Sequence, residues 1–152
     1  MKIALLYGTE SGNAEVLCED MLAALQAEHD CEMHELHNVS SSELVADTFY
    51  VFVCSTFGCG DLPTMAEMFA SKLEADSPDL SHVNFCIFGL GDTMFGDTFN
   101  QGSETLMNLL LNHGAKQIGE RGLYDASSGD MPEESAIPWV KARLSEFLDS
   151  AA

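Results

Sequence analysis

The chain is short of positive charge. Lysine and arginine together number 6, against 25 aspartates and glutamates, for a formal net charge of −19 at neutral pH. So acidic a surface repels phosphate backbones and anionic lipid, which excludes nucleic acid and the membrane surface as partners. Long apolar stretches are also missing. A spanning helix needs about 18 apolar residues in a row, and no run here reaches that length. The opening run Ile3-Ala4-Leu5-Leu6-Tyr7 is too brief for the core of a secretion signal and has no small-residue exit, so the expected location is cytoplasmic. The five cysteines (Cys18, Cys31, Cys54, Cys59, Cys86) are odd in number and lack metal-site spacing, which argues against a disulfide framework and a structural metal alike. His34 and His37 have no accompanying ligand motif. No G-K-[ST] marks a Walker loop, and no G-x-G-x-x-G marks a dinucleotide turn.

What is present is enough apolar material, 46% of 152 residues, for one core and one domain spanning 1–152. Short apolar runs alternate with amphipathic stretches. Lys2–Tyr7, Thr48–Cys54 and Val83–Leu90 read as buried strands, Cys31–His37 as an edge strand, and Lys116–Leu123 as a strand containing two glycines. Ala14–Glu28, Pro63–Ala75, Ser103–Asn112 and Glu133–Leu148 read as helices, and Ser40–Val45 as a single helical turn. Five strands alternating with helices predict an α/β fold, a doubly wound parallel sheet covered on both faces. In such sheets ligands bind at the carboxyl ends of the strands, beside the switch point.

Three segments follow those strand ends. Gly8-Thr9-Glu10-Ser11-Gly12-Asn13-Ala14 places hydroxyls, an amide and a flexible glycine at a helix start. Free backbone N–H groups and the helix dipole there suit a phosphate without any lysine. The same residue types also cap helices, and the segment alone leaves both readings open. Ser55-Thr56-Phe57-Gly58-Cys59-Gly60-Asp61-Leu62-Pro63 is a turn with an aromatic at its start and glycines that allow peptide rotation at low strain. Its plain alternative is a polar loop that opens a helix. Cys59 has no basic neighbour to activate it and is read as passive. The third segment, Gly89 to Asn100, is long for a strand-to-helix loop and pairs Phe95 and Phe99 with polar groups. Core packing is the alternative for Phe99, and sheet-edge capping for Phe95. Taken together, the three suit a ligand with a phosphate tail and a flat ring.

T-E-S-G-N-A-E, S-T-F-G-C-G-D-x-P and G-L-G-D-x-x-F, in this order and spacing, resemble the flavodoxin family over nearly the whole chain. The likeness is to its short-chain, MioC-like members and to the FMN domains of diflavin reductases such as sulfite reductase flavoprotein. The resemblance implies a three-layer, five-stranded sheet of order 2-1-3-4-5 with FMN at the switch point. By that resemblance Thr9, Glu10, Ser11, Gly12, Asn13 and Ala14 would hold the phosphate. Ser55, Thr56, Phe57 and Gly58 would line the ring, with Phe57 on one face. Leu90, Gly91 and Asp92 would meet the ring edge and ribityl chain, with Phe95 on the other face. Gly60, Phe99, Asn100 and Asp125 complete the expected cofactor-binding set. The Gly58 carbonyl would accept a hydrogen bond from flavin N5, and a flip of the Gly58–Cys59 peptide would separate the two one-electron steps. Relatives often place Tyr or Trp against the ring where this chain has Phe, which keeps stacking but loses the polar handle. Glu10 adds a negative charge beside the expected phosphate.

The function so implied is a monomeric one-electron carrier, not an enzyme, with no catalytic residue and no metal. It would take low-potential electrons from an NAD(P)H-dependent flavodoxin reductase-type donor to an acceptor with a basic face. The alternative is an FMN-dependent NAD(P)H/quinone oxidoreductase. A flavin-free interaction module of the same fold is a third class. A phospho-receiver domain is disfavoured, because the expected aspartate positions read Tyr7-Gly8-Thr9 and Cys54-Ser55-Thr56.

Overall fold

Alternation along the strands decides which side chain meets which helix. The computed structural model describes residues 1–57 and 60–151. Strand β1 (Lys2–Gly8) sends Ile3, Leu5 and Tyr7 to one face and Ala4 and Leu6 to the other. Strand β3 (Thr48–Ser55) does the same with Phe49, Val51 and Val53 against Tyr50, Phe52 and Cys54, and it is buried from Thr48 to Cys54. Both faces are apolar because helices cover both, as a parallel sheet requires.

Helices α1 (Asn13–Leu25) and α4 (Pro132–Ala151) cover the first face, with Leu17, Met21, Val140 and Leu144 packed onto it. Helices α2 (Thr64–Asp76) and α3 (Gln101–Asn112) cover the second through Phe69, Leu73, Leu106 and Leu110. Phe52 stands edge-on to Phe85 at 5.8 Å and tilted to Phe69 at 6.2 Å, geometries that aromatic quadrupoles favour. Strand β2 (Asp30–Glu35) is the half-exposed edge, and β4 (Asn84–Gly91) lies beside β3. The order is β2-β1-β3-β4 followed by β5 (Lys116–Gln117), all pairs parallel, as expected. Between α1 and α2 lie short 3₁₀ turns at Leu36–Asn38 and Ser41–Glu43, the second at the single turn that the sequence predicts.

One expectation needs correction. Lys116–Leu123 is not a continuous strand but two pieces, β5 (Lys116–Gln117) and β6 (Gly122–Asp125), both parallel to β4. Gln117 pairs with Phe85 and Gly122 with Phe88, so residues 118–121 bulge opposite 86–87. The cause is local. Gly119 turns left-handed at φ +72°, and a Cβ there would come within 2.6 Å of Arg143 Cδ on α4. A Cβ at Gly122 would meet the Phe88 ring at 2.4 Å and Trp139 at 2.8 Å. The bulge is fastened to α4 by Trp139 Nε1, which donates to the Glu120 carbonyl at 3.3 Å. No helix among the described residues is long and apolar enough to cross a membrane.

Candidate cofactor-binding site

The strand order reverses between β1 and β3, so the turns after Gly8 and Ser55 flank the switch point. In the first turn Thr9 is buried, and its hydroxyl accepts from the Gly12 N–H at 2.9 Å. Gly12, at φ +91°, is the N-cap of α1 and has no side chain to cap it. Among the described residues no side chain accepts from the N–H groups of Asn13, Ala14 or Glu15, which have no intrahelical partner, while Thr9 takes the N–H of Gly12. A Cβ at Gly12 would meet nothing within 4 Å, so the glycine is needed for its backbone angle rather than for space. Glu10 turns outward to accept from the Thr64 N–H at the start of α2, and that bond holds its carboxyl below the ordinary value. Tyr7 donates to Glu15 at 3.0 Å, and burial raises its phenol above the usual range.

The second turn is tied to α3. Thr56 N–H donates to Leu90 O at 3.1 Å, and Thr56 Oγ1 accepts from Gly102 N–H at 3.0 Å. Phe57 and Asp61 exchange backbone hydrogen bonds of 2.7 and 2.8 Å, which closes the turn and leaves the Phe57 side chain 51% exposed. Gly60 has φ +106°, and a Cβ there would strike Gln101 Oε1 at 2.3 Å. Gly58 and Cys59, with the peptide expected to flip, lie outside the described residues. Burial pushes the Cys54 thiol beneath the turn up to about 12, which makes it a packing group rather than a nucleophile.

The third turn runs from Asp92 to Asn100. Asp92 accepts from Met94 N–H at 2.9 Å and from the Ser127 hydroxyl. Asp125 accepts from Thr93 N–H at 3.0 Å, Thr93 Oγ1 at 2.9 Å and Ser127 N–H at 2.9 Å. Those bonds hold its carboxyl below the ordinary value, the Thr93 N–H contributing most. Phe95 is 51% exposed, Phe99 is half-buried, and Asn100 is fully buried in the left-handed region at φ +55°.

The turns enclose a cavity of about 640 Å³. Of the expected residues, Ser11, Asn13, Ser55, Thr56, Leu90, Gly91, Asp92, Phe95, Phe99 and Asn100 line it. Thr9, Glu10, Gly12, Ala14, Phe57, Gly60 and Asp125 do not. Thr9 and Asp125 support their loops, Glu10 bonds to α2, and Ala14 is core. The sequence reading missed the wall built by Val16, Leu17 and Asp20 of α1, by Thr98, and by Tyr124, Ala126, Met131, Pro132 and Glu133 around the end of β6. The strand-end rule that singled out the other loops applies to β6 as well, so that last group could have been found. Its lining combines the polar side chains Ser11 and Asn13 at the start of α1 with Leu90, Phe95, Phe99 and Tyr124 from the later loops. The carboxylates of Asp20, Asp92 and Glu133 line the cavity with no lysine or arginine among the described lining.

The family model described as Flavodoxin matches residues 5–139. This chain belongs to the flavodoxin family. It is 33% identical to Protein MioC of Escherichia coli K12, over 91% of this chain and 92% of that one. It is 33% identical to the NADPH-dependent diflavin oxidoreductase 1 of Aspergillus fumigatus, covering 95% of this chain but spanning only 24% of that protein's length. A solved flavodoxin from Pseudomonas aeruginosa, in which one cysteine is replaced by alanine, superposes with a TM-score of 0.82 at 30% identity, covering 96% of this chain and 98% of that one. The cofactor of a flavodoxin is FMN, bound at the switch point of this sheet. The cavity fits that group, since hydroxyl and amide side chains at the start of α1 (Ser11, Asn13) and apolar and aromatic ones of the later loops (Leu90, Phe95, Phe99, Tyr124) line one space.

Proposed function

We propose that this flavodoxin carries single electrons of low potential from an NAD(P)H-dependent flavodoxin reductase-type donor to an acceptor with a basic face. The observation that carries the reading is the cavity at the switch point of a flavodoxin chain, lined by both polar and aromatic side chains. Bound FMN supplies the redox chemistry. The protein's part is to bind, orient and shield it.

The N–H groups of the first α1 turn, with Ser11 and Asn13, would hold the phosphate, each charge-assisted bond contributing roughly 1.5–3 kcal/mol. The Glu10 carboxylate is neutralised in part by the α2 start, which lessens its repulsion of that phosphate. Phe95 in the cavity lining offers a flat surface for the ring, and Phe57, outside that lining but half exposed on the turn after β3, would offer a second. Leu90 and Gly91 would border the ring, Gly91 leaving room for Asn100 beside it, since a Cβ there would come 2.9 Å from Asn100 N. Acidic groups around the cavity make added negative charge on the ring costly. One charge at about 10 Å in water is worth only about 0.4 kcal/mol, so many carboxylates must act together. The diflavin relatives are named as NADPH-dependent, which supports a reductase-type donor.

The test is reduction of the FMN-loaded protein by NADPH, alone and with a catalytic amount of a flavodoxin reductase. The carrier reading expects bleaching only with the reductase present. Rapid bleaching by NADPH alone, or by NADPH with a quinone, would make the protein an oxidoreductase.

A further inference from the structure

Arg121 ends the bulge between β5 and β6, and its side chain is only 17% exposed. Nη1 donates to the Asn100 carbonyl at 2.7 Å and to Ser103 Oγ at 2.8 Å, while the Ser103 hydroxyl donates to the same carbonyl at 3.1 Å. Nη2 lies 3.5 Å from Glu104 Oε2 on the outer side. Asn100, the residue so held, ends the third cavity loop and is the N-cap of α3. Its left-handed backbone is uncommon for a residue with a side chain, and its amide donates to Tyr124 O at 3.2 Å. One of six lysines and arginines thus bonds a backbone carbonyl in a chain of net charge −19.

We propose that Arg121 is a positioning residue for bound FMN. It fixes Asn100, and through it the end of the 92–100 loop, in the conformation in which Phe95, Phe99 and Asn100 line the cavity. The bulge is what makes this reach possible, for it supplies the extra residues between Gln117 and Gly122. Nη1 alone donates to both the carbonyl and the hydroxyl while Nη2 faces Glu104, a planar spread of donors that a compact ammonium matches less well. The inference rests on FMN occupying this cavity.

The experiment compares FMN and riboflavin affinity, read by flavin fluorescence, in the parent chain and in Arg121→Gln, Arg121→Lys and Glu104→Gln. Because the phosphate turn is untouched, both ligands are expected to weaken by the same factor, about tenfold for Arg121→Gln and about threefold for Arg121→Lys. Glu104→Gln should stay within about twofold. Unchanged affinity with a lowered thermal midpoint overturns the proposal, since Arg121 then serves the fold alone. A larger loss for FMN than for riboflavin also overturns it, placing the effect at the phosphate. If Arg121→Gln does not fold, Arg121→Lys decides by the same comparison. Failure of the parent chain to bind either flavin removes the FMN reading itself.

Discussion

Asp125 and Thr93 hold the start of the third cavity loop through one carboxylate that takes three hydrogen bonds. Asp125 titrates below its ordinary value because the charged form accepts those bonds. The sign follows: its contribution is complete above the unfolded value of about 3.9 and is lost as pH falls through the lower folded value. FMN retention should therefore be level from neutral pH down to about pH 4 and fall below it. In Asp125→Asn retention should already be weaker at pH 7, with a shallower acid limb, as equilibrium dialysis across pH would show. Phe57 and Phe95 are each 51% exposed, so their loss should cost binding rather than folding. Phe57→Ala and Phe95→Ala should each weaken FMN about three- to tenfold and move the thermal midpoint by no more than about 2 °C. A fluorescence titration beside a melting curve separates the two effects. Roles at this scale were the least legible in the sequence. That Glu10 would turn to Thr64, or that Arg121 would clamp Asn100, depends on contacts 54 and 21 residues apart, which no local pattern encodes.

Strands and helices were far more legible, because alternating apolar faces and helical spacing are local. The exception was the last strand, where two glycines read as tolerable interruptions. Gly119 instead turns left-handed, and α4 packs against the break. Glycines also set how closely α3 approaches β4. A Cβ at Gly89 would lie 2.1 Å from Ser103 Oγ and 2.5 Å from Asn100 Oδ1. Gly89→Ala should push the start of α3 outward, cost roughly 1–3 kcal/mol and lower the thermal midpoint by about 3–10 °C. Because the same displacement moves Asn100, FMN affinity should fall with it. Calorimetry and flavin titration on one preparation would show both losses together, and stability lost with affinity intact would contradict that coupling.

For the whole molecule, the order β2-β1-β3-β4-β5 brings turns distant in sequence to one edge. The strand-end rule locates that edge and three of its four loops from the residues alone. The fourth, around Tyr124 and Met131, completes the cavity wall. The net charge of −19 acts at this scale too. A basic donor should be steered toward the carrier, so its association rate should fall about tenfold or more between low and physiological salt. Stopped-flow reduction at several ionic strengths measures this, and a flat salt dependence would remove the electrostatic account of partner choice.

The central claim, that the switch-point cavity holds the phosphate and the ring of FMN at once, is tested most directly by titrating the flavin-free protein with FMN and following quenching of flavin fluorescence. The account predicts saturation at one FMN per chain with sub-micromolar affinity. A titration with no quenching, or with quenching that never saturates, would contradict it.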